Sequence, residues 1–126
     1  MTEPLALLDR AHLKSMTGGD SALAMEVLEI FQQQADIWSR MLDPKADPHQ
    51  WADAAHTLKG SCLSIGAIRL AKTCEKAEKA GRSETPPSLT AAAVMIGDIK
   101  DGIGETLEAV AKALYDLSSS SPRKAS

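Results

Sequence analysis

His56, Lys59 and Gly60 stand within little more than one helical turn, in the run Ala55-His56-Thr57-Leu58-Lys59-Gly60-Ser61. Stepping about 100° per residue from Trp51, His56 projects near 140°, Lys59 near 80° and Gly60 near 180°, whereas Trp51, Ala55, Leu58, Cys62 and Ile65 fall within about 40° of zero. The apolar stripe faces a core and the histidine faces solvent. A neutral imidazole offers a ring nitrogen as nucleophile, and its ordinary pKa of about 6.5 leaves enough of it unprotonated to attack near neutral pH. Lys59 can set an ammonium against a phosphoryl oxygen carried on that nitrogen, a charged hydrogen bond worth about 1.5–3 kcal/mol. Glycine inside a helix lowers stability, so the missing side chain beside His56 suggests that another surface or a phosphate comes close there. Together the three residues can carry a phosphoryl group.

The elements that must position them are helical. Between Asp20 and Asp43, the residues Leu23, Val27, Ile30, Phe31, Ile37, Trp38 and Met41 recur at helical intervals, after a turn and cap at Gly18-Gly19-Asp20. A shorter apolar piece, Leu5 to Leu13, is expected to form a short helix over an end of the core. Asp47-Pro48 reads as an N-cap with proline at the first helical position, starting the helix that carries His56, and Gly66 closes it. Ala67, Leu70, Ala71, Cys74 and Ala77 then form a second stripe ending near Gly81. With almost no loop between them, these two helices must form an antiparallel hairpin. Ser88 is the expected cap of a last helix bearing Leu89, Ala92, Ile96, Ile99, Ile103, Val110, Leu114 and Leu117, and Gly97, Gly102 and Gly104 predict bending or fraying within it. The fold expected is all-α, an antiparallel up-down four-helix bundle with a short N-terminal covering helix over residues 1–117. Residues 118–126, rich in serine, are expected to be a disordered tail.

The hairpin brings in another residue. His56 lies eleven residues before Ala67 and Glu78 eleven after it, which places both at about the same depth along antiparallel helices. Glu78 projects close to its helix's apolar stripe, where a carboxylate needs a partner to offset desolvation. Accepting a hydrogen bond from one ring N–H would fix the imidazole tautomer and leave the other nitrogen free. Each residue also has an ordinary reading. An exposed helix histidine is usually only solvated, Gly60 could serve a close helix crossing, and Glu78 has surface partners in Lys59, Lys79 and Arg82.

Composition bounds the rest. A chain of 126 residues suits one domain, and 14 Lys+Arg against 17 Asp+Glu, a formal charge of -3, leaves no basic block for nucleic acid or for an anionic membrane. The start Met-Thr-Glu-Pro lacks a targeting pattern and no segment approaches the roughly 20 apolar residues of a membrane span, so a cytoplasmic location is expected. Cys62 and Cys74 are expected to be reduced, packed thiols, and His12 and His49 ordinary side chains without metal-ligand spacing, so no metal is expected on this chain.

The string at 55–61, the Gly66-Ala67 that follows, Leu70, Cys74 and Glu78, with Gly-Gly-Asp at 18–20, resembles the histidine-containing phosphotransfer (HPt) domain family over roughly residues 5 to 117. The resemblance implies that His56 is the phosphoacceptor, that Lys59 is the phosphate-facing cation, that Gly60 permits close approach and that Glu78 orients the imidazole. Arg82, one turn on, would lend accessory positive charge. Ala77 stands where the family often has leucine. It further implies response-regulator receiver domains and a hybrid sensor kinase as partners, with no cofactor bound by this chain and Mg²⁺ supplied by the receiver. Leu63, near 120° on the wheel, and Ser64 would belong to the docking surface. No glycine-rich phosphate loop accompanies the bundle, which fits a free-standing phosphocarrier without ATP-dependent kinase activity, and the ordinary expectation for it is a monomer. The competing readings are an adaptor bundle that binds a receiver or kinase without being phosphorylated, and a purely structural bundle.

Overall fold

Side-chain caps set where four of the five helices begin. Asp9, Asp20 and Asp47 accept from the backbone N–H of His12 at 3.0 Å, Leu23 at 3.1 Å and His49 at 2.8 Å, and Ser88 Oγ accepts from Ala91 at 3.2 Å. The computed structural model describes residues 5–120, and among them runs α1 (Arg10–Met16), α2 (Ser21–Met41), α3 (Pro48–Ile65), α4 (Ile68–Gly81) and α5 (Leu89–Ser120), with no strand. α2 packs on α3, α3 on α4, α4 on α5 and α5 back on α2, which closes a four-helix bundle, while α1 lies against α2 and α3. The core is built around the fully buried Trp51, Leu28, Leu42, Leu58, Ile65, Leu70, Ile96 and Ile99.

The α3–α4 hairpin is the part that builds the site. Gly66 ends α3 in the left-handed conformation, φ 87°, and a Cβ there would lie 2.6 Å from the carbonyl oxygen of Asp9. The same glycine's carbonyl accepts from Asp9 N at 2.7 Å, so the turn of the hairpin is also the point where the N-terminal segment is tied down. At the other end of the hairpin Gly81 lets α4 approach α3, since a Cβ there would stand 2.9 Å from Ala52 Cβ, from the Pro48 carbonyl oxygen and from Trp51 Cζ3.

Several expectations shift. The covering helix is Arg10–Met16 and not Leu5–Leu13, because Asp9 supplies the cap. The preceding segment stays extended enough for Ala6 O to accept from Arg69 N and Leu5 O from Arg69 Nε. On α2 the inward face is Ala24, Leu28, Phe31, Ala35 and Trp38, whereas Leu23, Ile30, Ile37 and Met41 are exposed, so the apolar set read from the sequence joined two faces. α5 is one continuous helix despite its glycines. Gly102 faces Leu70, whose Cδ1 would be 2.9 Å from an added Cβ, so α4 comes close there and the glycine is where it fits. α5 continues through Ser118 to Ser120, into the segment expected as tail; the rest of that segment, 121–126, and the Met-Thr-Glu-Pro start lie outside the described residues.

Candidate functional site

His56 and Glu78 meet across the hairpin as the register requires: Nδ1 of the imidazole is 2.9 Å from Oε2 of the carboxylate. The ring is 61% exposed and the carboxylate side chain 14%, so a solvent-facing imidazole rests on a largely buried anion. Desolvation alone would raise the Glu78 carboxyl, but hydrogen bonds and charge from Lys59 and Arg82, with His56 adding to them, outweigh it and hold the group below the usual carboxylate range. Glu78 is therefore ionised and can only accept, which makes Nδ1 the donor, so that in the neutral ring the lone pair lies on Nε2.

Both carboxylate oxygens are occupied. Lys59 Nζ is 2.9 Å from Oε1, and Arg82 Nε donates to Oε2 at 3.2 Å. Of the three partners the sequence offers for Glu78, Lys59 and Arg82 thus converge on it. Lys79 instead lies 3.9 Å from Glu75. Lys59 in this state is directed to Glu78, one turn of α3 beyond His56, with its side chain 23% exposed. Gly60 is exposed on α3, and a Cβ built on it would meet nothing within 4 Å. No helix crossing needs this glycine.

Leu63 is 45% exposed and Ser64 is exposed beside it, its hydroxyl turned back onto the Ser61 carbonyl at 2.7 Å. A groove of about 240 Å³ runs from Lys59 past Leu63 and Leu5 to Ile68, Lys72 and Glu75, so apolar side chains adjoin Lys59 there. His12 is less ordinary than its sequence context suggests, since its Nε2 lies 2.7 Å from the Leu63 carbonyl oxygen and ties α1 to this part of α3. Among the described residues no group of three or more His, Cys, Asp or Glu is placed to hold a metal ion. Cys62 and Cys74 are free, buried thiols.

Asp53 was missed by the sequence reading. Its Oδ1 holds Nη2 of Arg82 at 2.9 Å, and the two carboxylates, Asp53 first and Glu78 second, raise the guanidinium above its ordinary value. The signal was present: Asp53 lies fourteen residues before Ala67 and Arg82 fifteen after, which is nearly the register that pairs His56 with Glu78.

This bundle, with an exposed histidine held by a carboxylate across one helical hairpin, belongs to the Hpt domain family, whose pattern matches residues 22–118. Proteins of this family serve phosphotransfer in two-component signalling. The chain is similar to the histidine phosphotransferase ShpA from Caulobacter crescentus, known from a crystal structure at 1.52 Å, with 33% sequence identity and a TM-score of 0.59 over 89% of this chain and 99% of that one. No curated protein matches the sequence. Among the described residues no helix is long and apolar enough to cross a membrane.

Proposed function

We propose that this protein is a histidine phosphocarrier of a multistep phosphorelay, accepting a phosphoryl group on His56 from the aspartyl phosphate of one receiver domain and passing it to the aspartate of another. The observation that carries the reading is the Glu78 carboxylate on Nδ1 of a ring that is 61% exposed, which makes Nε2 of the neutral ring the accessible nucleophile.

In acceptance, the Nε2 lone pair forms the N–P bond as the P–O bond to the receiver's aspartate breaks, and the carboxylate leaves with that electron pair. Nδ1 keeps its proton, and Glu78 offsets the positive charge the ring gains. No general base is required, because the attacking nitrogen starts without a proton. Donation to the next receiver is the same step in reverse. Lys59 turns from Oε1 of Glu78 to a phosphoryl oxygen, Arg82 stays on the carboxylate as accessory charge, and the open space at Gly60 admits the receiver's surface. Leu63 and Ser64 form part of the docking surface. The receiver brings Mg²⁺; this chain contributes nucleophile and lysine, binds no cofactor and has no ATP-dependent kinase activity. A hybrid sensor kinase stands upstream, and the carrier acts as a cytoplasmic monomer.

The test is to mix the protein with a phosphorylated receiver and Mg²⁺ and to follow phosphate by intact mass for wild type and His56→Gln. Acid-labile, base-stable phosphate on wild type alone supports the carrier. Absence of label from several receivers, with measurable binding to one, replaces it with the adaptor reading.

A further inference from the structure

Contacts run from Asp53 to Arg82, from Arg82 to Glu78 and from Glu78 to His56, leaving α3, crossing to α4 and returning to α3 three residues later. The last two contacts meet on one atom, Oε2 of Glu78. We infer that Asp53 and Arg82 are positioning residues for His56: the guanidinium, anchored at Asp53, fixes the plane of the Glu78 carboxylate so that Oε2 faces Nδ1 and the ring is held in the tautomer with Nε2 unprotonated.

Stability is a poor account of the Asp53–Arg82 pair. The side chains are 70% and 40% exposed, and ion pairs of that kind contribute little to folding. Geometry is a better one. A guanidinium is planar, so Nη2 on Asp53 and Nε on Glu78 together define its orientation, and that orientation in turn defines where Oε2 sits. Lysine, a point charge, has no such fork. The anchor matters most once Lys59 has turned to a phosphoryl group, because Arg82 is then the remaining cation on the carboxylate. That last consequence rests on the phosphocarrier reading; the tautomer does not.

The experiment records long-range ¹H–¹⁵N correlations of the histidine rings at a pH of about 9, where imidazole is neutral, in wild type, Arg82→Ala, Arg82→Lys, Asp53→Ala and Asp53→Asn. Exposed His49 is the internal reference. Wild type is expected to show His56 with its proton on Nδ1. Arg82→Ala and Asp53→Ala are expected to move it toward the mixture seen for His49, Arg82→Lys is expected not to restore it, and Asp53→Asn, which keeps an acceptor, is expected to restore it in part. Phosphorylation by phosphoramidate, which needs no receiver, should fall about tenfold in the two alanine variants, as for other residues that orient a reactive imidazole. Helical circular dichroism should be unchanged in all. An unchanged His56 tautomer in both alanine variants overturns the inference. Altered tautomers with no phosphorylation of wild type by phosphoramidate or any receiver support the positioning role and overturn the phosphoacceptor reading.

Discussion

Lys59 Nζ lies 2.9 Å from Oε1 of Glu78, so the lysine is held by the carboxylate that also holds the imidazole. The lysine has a position to leave and a reason to be near. Lys59→Ala should slow transfer from a phosphorylated receiver by about tenfold or more, the scale of losing one charged hydrogen bond to the transferring group. Arg82 remains on Glu78, so the cost in folding should stay below about 1 kcal/mol. Single-turnover transfer and a urea titration on the same preparation check this, and parallel losses in both would remove the role assigned to the lysine.

Gly60 separates function from stability in the opposite sense. A Cβ there meets nothing within 4 Å, so Gly60→Ala should stabilise the helix by about 0.5–1 kcal/mol. If the space belongs to the receiver, the same substitution should reduce receiver-dependent transfer at least about tenfold, a loss of near 1.4 kcal/mol in the complex. Phosphorylation by phosphoramidate should be unaffected. A higher urea midpoint with receiver transfer intact would return Gly60 to an accident of sequence.

The hairpin was legible because its constraints are local. A glycine at the end of one stripe, an immediate second stripe and a proline-marked start leave one register for α3 on α4, and that register pairs His56 with Glu78. α2 was less legible because apolar residues line two of its faces. The set Leu23, Ile30, Ile37 and Met41 competes with Ala24, Leu28, Phe31, Ala35 and Trp38, and periodicity alone favours neither when the inward face holds two alanines. The start of α1 depended on Asp9, whose capping bond wins over the apolar residues before it. Asp53 escaped notice because an exposed aspartate on a helix is ordinary; its meaning came only from the guanidinium opposite it.

Gly81 should be intolerant of the change that Gly60 accepts. An added Cβ would be 2.9 Å from Ala52 Cβ, the Pro48 carbonyl oxygen and Trp51 Cζ3, none of them the free end of a flexible chain. Gly81→Ala must push α4 off α3 and should cost about 1–3 kcal/mol, the range for overpacking a filled interior. Because Arg82 follows directly, the displacement should also disturb the guanidinium. Urea unfolding gives the first quantity, and the tautomer of His56 the second.

The two thiols should be chemically silent in the native state. A hydrogen bond with Cys74 first, then burial, then charge on Cys74 push the Cys62 thiol up, so little thiolate is available to react. An aromatic disulfide reagent at about pH 8, close to the ordinary thiol pKa, should modify neither cysteine until the bundle opens. Both should then react at the rate of unfolding. Rapid modification of folded protein would mean that the α3–α4 contact opens locally.

Glu78 also gives the acid limb of stability a definite sign. Its folded pKa is depressed, so its contribution is complete above the unfolded value of about 4.3 and disappears as the pH falls through the lower folded value. Glu78→Gln keeps a carbonyl acceptor for Nδ1 but removes the charge that Lys59 and Arg82 offset. The variant should be less stable than wild type at neutral pH, and the difference should shrink below about pH 4. Urea midpoints of the two proteins measured from neutral pH downward test this directly. A difference that grows on acidification would mean that desolvation, and not the two cations, dominates the carboxylate.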